Sequence, residues 1–205
     1  MMLETVFTIG HSTHELDDWT KMLRQHEVTA VADVRSVPVS RFTPQFNQGS
    51  VKRGLHDVGI KYAFLGRELG ARTDDLSCYV DGRVQYDRLA KTPGFVSGVD
   101  RLLGGARTER IAIMCAEGEP LDCHRTILVA RVLTERGVRI DHIHGDGRVE
   151  SHAEAMERLM GMFGLAEADL FRTRAERLDE ALSRQECRIA YVNEELRDDD
   201  GMAEV

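Results

Sequence analysis

Residues 110–125 read Arg110-Ile111-Ala112-Ile113-Met114-Cys115-Ala116-Glu117-Gly118-Glu119-Pro120-Leu121-Asp122-Cys123-His124-Arg125. Arg110–Cys115 is a short apolar run rich in β-branched side chains, the clearest strand in the chain. A polar loop follows. It leads into a segment from about Cys123 to Arg136 that reads as a helix closed by Gly137. A fully apolar strand followed by a helix is the unit from which parallel sheets are built, because such strands are buried on both faces.

Working outward, the same alternation recurs. Thr5–Ile9, Thr29–Val34, Ile60–Leu65 and Val138–Ile143 read as further strands. Ser12-Thr13-His14-Glu15 has the form of a capping box and predicts a helix to about His26. Residues 48–58 predict a helix stopped by Gly59. Thr92-Pro93 predicts another, ending at Gly104-Gly105. Ser151-His152-Ala153-Glu154 is a second capping box, and 167–187 reads as a long helix. Residues 66–86 read as a long loop, a candidate lid. The expected fold is α/β: an open, mostly parallel sheet of about five strands with helices on both faces. Residues 1–150 would form that body, and 151–205 a helical extension packed on it. The tail Asp198-Asp199-Asp200 is expected to fray.

The bulk numbers agree with one folded unit. The 205 residues are 42% hydrophobic and 30% charged, an ordinary globular balance. No stretch approaches 18 consecutive apolar residues, and the first residues have no basic region of a signal peptide. The protein is therefore expected in the cytoplasm, away from membranes, with its four cysteines reduced. Its net charge of −8 is uneven: 151–205 carries 14 acids and 7 bases, whereas 35–72 carries seven bases against Asp57 and Glu68. A local basic patch on an acidic chain points to a discrete anionic ligand, with nucleic acid as a second possibility. Leu159, Phe163, Leu170, Leu178 and Leu182 give the extension an amphipathic pattern, read as packing or as a homodimer contact. Cys187 is expected to be structural.

Three strand ends carry the polar residues. Gly10-His11-Ser12 follows the first strand. Asp33-Val34-Arg35-Ser36, with Arg41 and Asn47 beyond, follows the second. Cys115-Ala116-Glu117 leads to Cys123-His124-Arg125. A parallel sheet brings all three to one edge, where ligands bind in this architecture. These motifs, together with Thr8-Ile9, Arg41-Phe42-Thr43-Pro44-Gln45-Phe46-Asn47, Leu65-Gly66-Arg67-Glu68-Leu69-Gly70, Asp169-Leu170-Phe171 and Arg188-Ile189-Ala190-Tyr191, resemble those of the domain-of-unknown-function 488 family. The resemblance spans nearly the whole chain. It implies the α/β fold and marks these residues as a shared polar set, without supplying a substrate.

The chemistry of the residue types suggests an enzyme, a hydrolase or transferase acting on a phosphate-bearing small molecule such as a nucleotide or nucleoside derivative. Glu117 or Cys115 would react, with His11 and Asp33 assisting. Arg35, Arg41 and Arg125 would hold the anion. Ser12, Ser36 and Asn47, and the helix start at Cys123 and His124, would complete the binding surface. A non-catalytic nucleotide or nucleic-acid binding module is the alternative from another class. No cofactor is expected. A zinc enzyme, with His11, Cys115, Cys123 and His124 as candidate ligands, is the remaining alternative, although seven residues between the cysteines is looser than the usual paired spacing. No dinucleotide fingerprint, Walker loop or GxSxG elbow is present.

Overall fold

The computed structural model describes residues 5–197. Six strands form the main sheet: β1 (Thr5–Gly10), β2 (Ala30–Asp33), β3 (Lys61–Phe64), β6 (Ile111–Cys115), β7 (Arg139–Ile143) and β8 (Val149–Ser151), in the order β3-β2-β6-β1-β7-β8. Every pairing is parallel except β7 with β8. The sixth strand was not foreseen. Three residues, turned back through Gly147 at φ 81°, are too short to carry a strand pattern of their own. The expected 66–86 loop holds more structure than its composition announces: a helical turn α3 (Gly66–Leu69), a hairpin of β4 (Tyr79–Val80) and β5 (Arg83–Val84), and the start of α4 (Tyr86–Leu89).

Strand alternation builds two cores, one on each face. Phe7, Ile9, Val31, Ala112, Met114 and Ile143 face α1 (Leu16–Gln25) and α2 (Gln48–Asp57), around fully buried Trp19 and Phe46. Val6, Ala32, Ile111, Ile113, Cys115 and Ile140 face the larger core. That core is covered by α5 (Pro93–Ala106), a π-helical segment Arg125–Ala130 that continues as α6 (Arg131–Glu135), α7 (His152–Met162) and α8 (Arg174–Ile189). Ala181 and Leu182 of α8 sit in this same core.

Local chemistry explains the helix ends, with three corrections to the sequence expectation. Thr92 caps α5 through Phe95 N, with Pro93 first in the helix, and Ser151 and Glu154 form the expected capping box. The box at Ser12 does not form. Ser12 N is bonded to the Ala116 carbonyl and its φ is 46°, so the chain turns left-handed to finish the ladder with the loop after β6. Helix α1 therefore starts at Leu16, without a side-chain cap. The last long helix begins at Arg174 instead of 167, because Thr173 and Glu176 make a capping box and Leu170 and Phe171 lie in solvent. Cys187 is exposed on α8 and does not pack in a core. The acidic run 198–200 lies outside the described residues. Among the described residues, no helix is long and apolar enough to cross a membrane.

The topology fixes where a site can form. Strands β1 and β2 pass into helices on one face, while β6, which lies between them, passes into the helix on the other face. The chain therefore parts at the carboxyl ends of these three strands and leaves a crevice there.

Candidate functional site

Two glycines let the strand ends approach one another. A Cβ on Gly10 would lie 1.8 Å from the Glu117 carbonyl oxygen, and one on Gly66 would lie 2.0 Å from the Arg35 carbonyl oxygen. Only glycine permits backbone contacts that close.

The polar residues expected at one edge divide into two groups, one toward each face. On the α1/α2 side, Asp33 is fully buried. Its Oδ1 accepts from Arg35 N at 3.1 Å and Nε at 2.9 Å, and its Oδ2 accepts from Arg35 Nη2 at 2.7 Å and from the Tyr62 hydroxyl at 2.8 Å. The carboxylate is saturated, so its role here is to hold Arg35. His11 stacks on Phe46 at 4.3 Å between ring centroids. Its Nδ1 donates to the Ser12 carbonyl at 2.8 Å, which leaves Nε2 to accept from Arg35 Nη1 at 3.2 Å. Burial, with Arg35 and Arg125 nearby, lowers the His11 pKa to about 4. The ring is therefore neutral near pH 7 and orients the guanidinium.

The second group lies toward the larger core. Cys115, Cys123 and His124 are 3%, 1% and 7% exposed, and their ligand-type atoms all lie within 4.8 Å of one another. His124 Nδ1 stands 3.7 Å from Cys115 Sγ and 3.8 Å from Cys123 Sγ. Its Nε2 donates to the Val34 carbonyl at 3.1 Å. Cys123 Sγ is 3.0 Å from Glu117 Oε2, close enough for one proton to be held between them. Burial alone would raise the Cys123 pKa, yet the Cys115 thiol, Arg125 and His124 hold it well below the usual thiol value. The neighbouring Cys123, together with burial, pushes Cys115 well above that value. Surrounding protein and the charge of Cys123 raise the Glu117 carboxyl, although the Glu117 side chain remains reachable from solvent.

The helix start is not a free cradle for an anion. Arg125 N donates to Cys123 Sγ, and Thr126 N and Ile127 N both donate to the Cys123 carbonyl. Arg125 itself is fully buried. Its Nη1 and Nη2 donate to the Glu117 and Gly118 carbonyls at 2.6 and 3.1 Å, so it shapes the loop that carries Glu117. The helix runs as a π-helix over Arg125–Ala130, a form met mostly as single turns, frequently at functional sites.

A pocket of about 280 Å³ opens between the groups. Arg35, Ser36, Cys115, Glu117, Cys123 and His124 line it, as foreseen residue types. His11, Ser12, Asp33, Arg41, Asn47 and Arg125 do not. Arg41 is exposed and lies over the Phe42 ring at 4.8 Å. Asn47 Oδ1 accepts from Ser40 N at 2.6 Å and pins its own loop. Sequence reasoning missed Tyr86, Arg72 and Tyr191 as lining residues. Arg72 stacks on Tyr191 at 4.4 Å, and Ser36 Oγ accepts from Arg72 N at 3.0 Å. The charge of the 35–72 stretch was the one signal that could have picked out Arg72.

Residues 15–132 match the family described as Domain of unknown function DUF488. No curated protein and no solved structure matches the chain.

Proposed function

The chain belongs to the domain of unknown function DUF488 family, and on that footing we propose that its strand-end pocket is the active site of a hydrolase or transferase for a small phosphate-bearing molecule, such as a nucleotide or nucleoside derivative. The observation that carries this reading is the joint presence, in one pocket, of two guanidinium groups and a solvent-reachable carboxyl beside a pair of thiols. Arg35 is held rigid by Asp33 and His11, so it meets an anion without further ordering. Arg72, stacked on Tyr191, supplies a second positive wall from an exposed loop. Glu117, the solvent-reachable carboxyl of the pocket, is the proton-transfer group of this reading, toward a leaving oxygen or from an attacking water. A volume of 280 Å³ is at the small end for ligand pockets and suits a phosphate with its sugar better than an extended dinucleotide.

The test is a panel of nucleoside monophosphates, sugar phosphates and inorganic phosphate, scored by thermal stabilisation and by turnover. Arg72→Ala should weaken binding about tenfold or more, the loss of one charge-assisted contact. Glu117→Gln should keep binding and lower kcat by about 10²–10⁴-fold. Binding that is indifferent to Arg72, or turnover that survives Glu117→Gln, would overturn the assignment.

A further inference from the structure

Cys115, Cys123 and His124 bring three soft donor atoms together in one buried cluster. One imidazole nitrogen, Nδ1, faces two sulfurs at 3.7 and 3.8 Å. A neutral Nδ1 offers a single lone pair and can accept one proton from one thiol. Near-equal distances to both sulfurs are what a body placed between all three atoms would impose. We propose that these three side chains form a binding site for a thiophilic divalent cation, zinc by preference, with its fourth coordination position open to the pocket.

The two sulfur–nitrogen distances agree with a tetrahedral ion. With zinc about 2.3 Å from sulfur and about 2.0–2.1 Å from nitrogen, the sulfur–nitrogen edge of a tetrahedron is about 3.6 Å. The two observed edges, 3.7 and 3.8 Å, lie close to it. The imidazole is set for the task. The Val34 carbonyl can only accept, so Nε2 carries a hydrogen and Nδ1 is the nitrogen left to meet a metal beside the sulfurs. A ligating histidine is commonly fixed by such a carbonyl. Two thiols and an imidazole are also a soft donor set, which favours zinc over magnesium or calcium. All three residues are buried and contribute to the wall of the same pocket.

Two expectations from the sequence change as a result. His11 is not a ligand, because its ring lies toward the other core with Nε2 against Arg35. The loose spacing of the cysteines is no obstacle, because the Arg125 guanidinium gathers the intervening loop by its Glu117 and Gly118 carbonyls. Glu117 stands beside the site rather than in it. Its Oε2 is 3.0 Å from Cys123 Sγ, shorter than the roughly 3.6 Å edge expected between two co-ligands of one zinc ion. Three protein ligands and one open position are the pattern of catalytic zinc. A carboxyl next to that position is placed to accept a proton from water bound there.

The experiment uses the full chain carrying no histidine tag, purified after growth with zinc, and the same chain stripped by chelator and reloaded with cobalt(II). About one zinc per chain is expected. The cobalt form should show the intense visible bands of tetrahedral coordination and a thiolate-to-cobalt charge-transfer band. Zinc should block Cys115 and Cys123 toward a thiol reagent while exposed Cys187 reacts throughout as an internal reference. Cys123→Ser should abolish the charge-transfer band or weaken cobalt binding at least tenfold. Should that variant fail to fold, thiol protection in the unmodified chain decides the matter. Absence of metal with thiols equally reactive with and without added zinc overturns the proposal, as does a cobalt spectrum that survives Cys123→Ser. The assignment stands apart from the anion-pocket reading: Arg72→Ala should weaken phosphate binding and keep the cobalt spectrum, so either idea can fail alone.

Discussion

The decisive single residue is Asp33. It makes four hydrogen bonds from a fully buried position, three of them to Arg35. A buried ion pair adds little beyond its desolvation cost, but losing one partner strands the other charge. Asp33→Asn should therefore cost roughly 3–5 kcal/mol. In the double variant Asp33→Asn, Arg35→Met the combined cost should fall well below the sum of the single losses. Urea denaturation of the four proteins checks this, and additive losses would show that the pair is not a unit. At this scale part of the site was legible in the sequence. The alternation of strand residues already places Cys115 with Ile111 and Ile113, and Asp33 with Val31, on opposite faces. The direction of Arg125 was not legible, because it depends on the path of the Glu117-Gly118 loop, which no periodicity describes.

Among the elements, α8 is held at its start by a reciprocal pair. Thr173 Oγ1 accepts from Glu176 N at 3.2 Å, and Glu176 Oε2 accepts from Thr173 N at 2.7 Å. Thr173→Ala should cost about 1 kcal/mol of stability. It should leave ligand affinity unchanged, because the pocket residues Ile189 and Tyr191 lie at the far end of the helix and just beyond it. Chemical denaturation and a binding titration on the same sample test both halves, and a matching loss of affinity would count against the separation. Strand β6 was the most legible because burial on both faces writes an uninterrupted apolar run, whereas β3 and β7, which carry Lys61 and Arg139, Asp141 and His142, were legible mainly from the strand–helix alternation around them. The hairpin β4–β5 and strand β8 were not, because two or three residues whose pairing depends on distant segments, such as Val84 N on the Tyr191 carbonyl, leave no local signature.

For the whole molecule, stability should depend on a pair of interior histidines. His142 Nδ1 meets Thr8 Oγ1 at 2.7 Å, and its Nε2 meets His152 Nδ1 at 3.1 Å. Burial lowers His152 to about 4 and holds His142 well below the ordinary range, with His152 and Arg125 adding to the shift in His142. The unfolded chain therefore binds protons that the folded chain refuses between about pH 6.5 and 4. Stability is complete above that window and falls as pH drops through it. At pH 5, His152 alone should account for a loss of about 2 kcal/mol. Denaturant midpoints at pH 7.5, 6 and 5 measure this, and a flat profile would show that the histidines are hydrated.

The crevice is joined to the sheet by the amides of His11 and Ser12, which donate to the carbonyls of Cys115 and Ala116 at 3.0 and 2.8 Å. These bonds continue the ladder of the two central strands beyond their ends. The inner wall is therefore tied into the sheet, so opening it breaks ladder bonds of the sheet itself. The outer wall has no such tie, since Arg72 and Tyr191 come from a loop and from the segment after the last long helix. Amide exchange should therefore be slow at His11 and Ser12 and fast at Arg72, whose amide is held, among the described residues, only by the Ser36 hydroxyl.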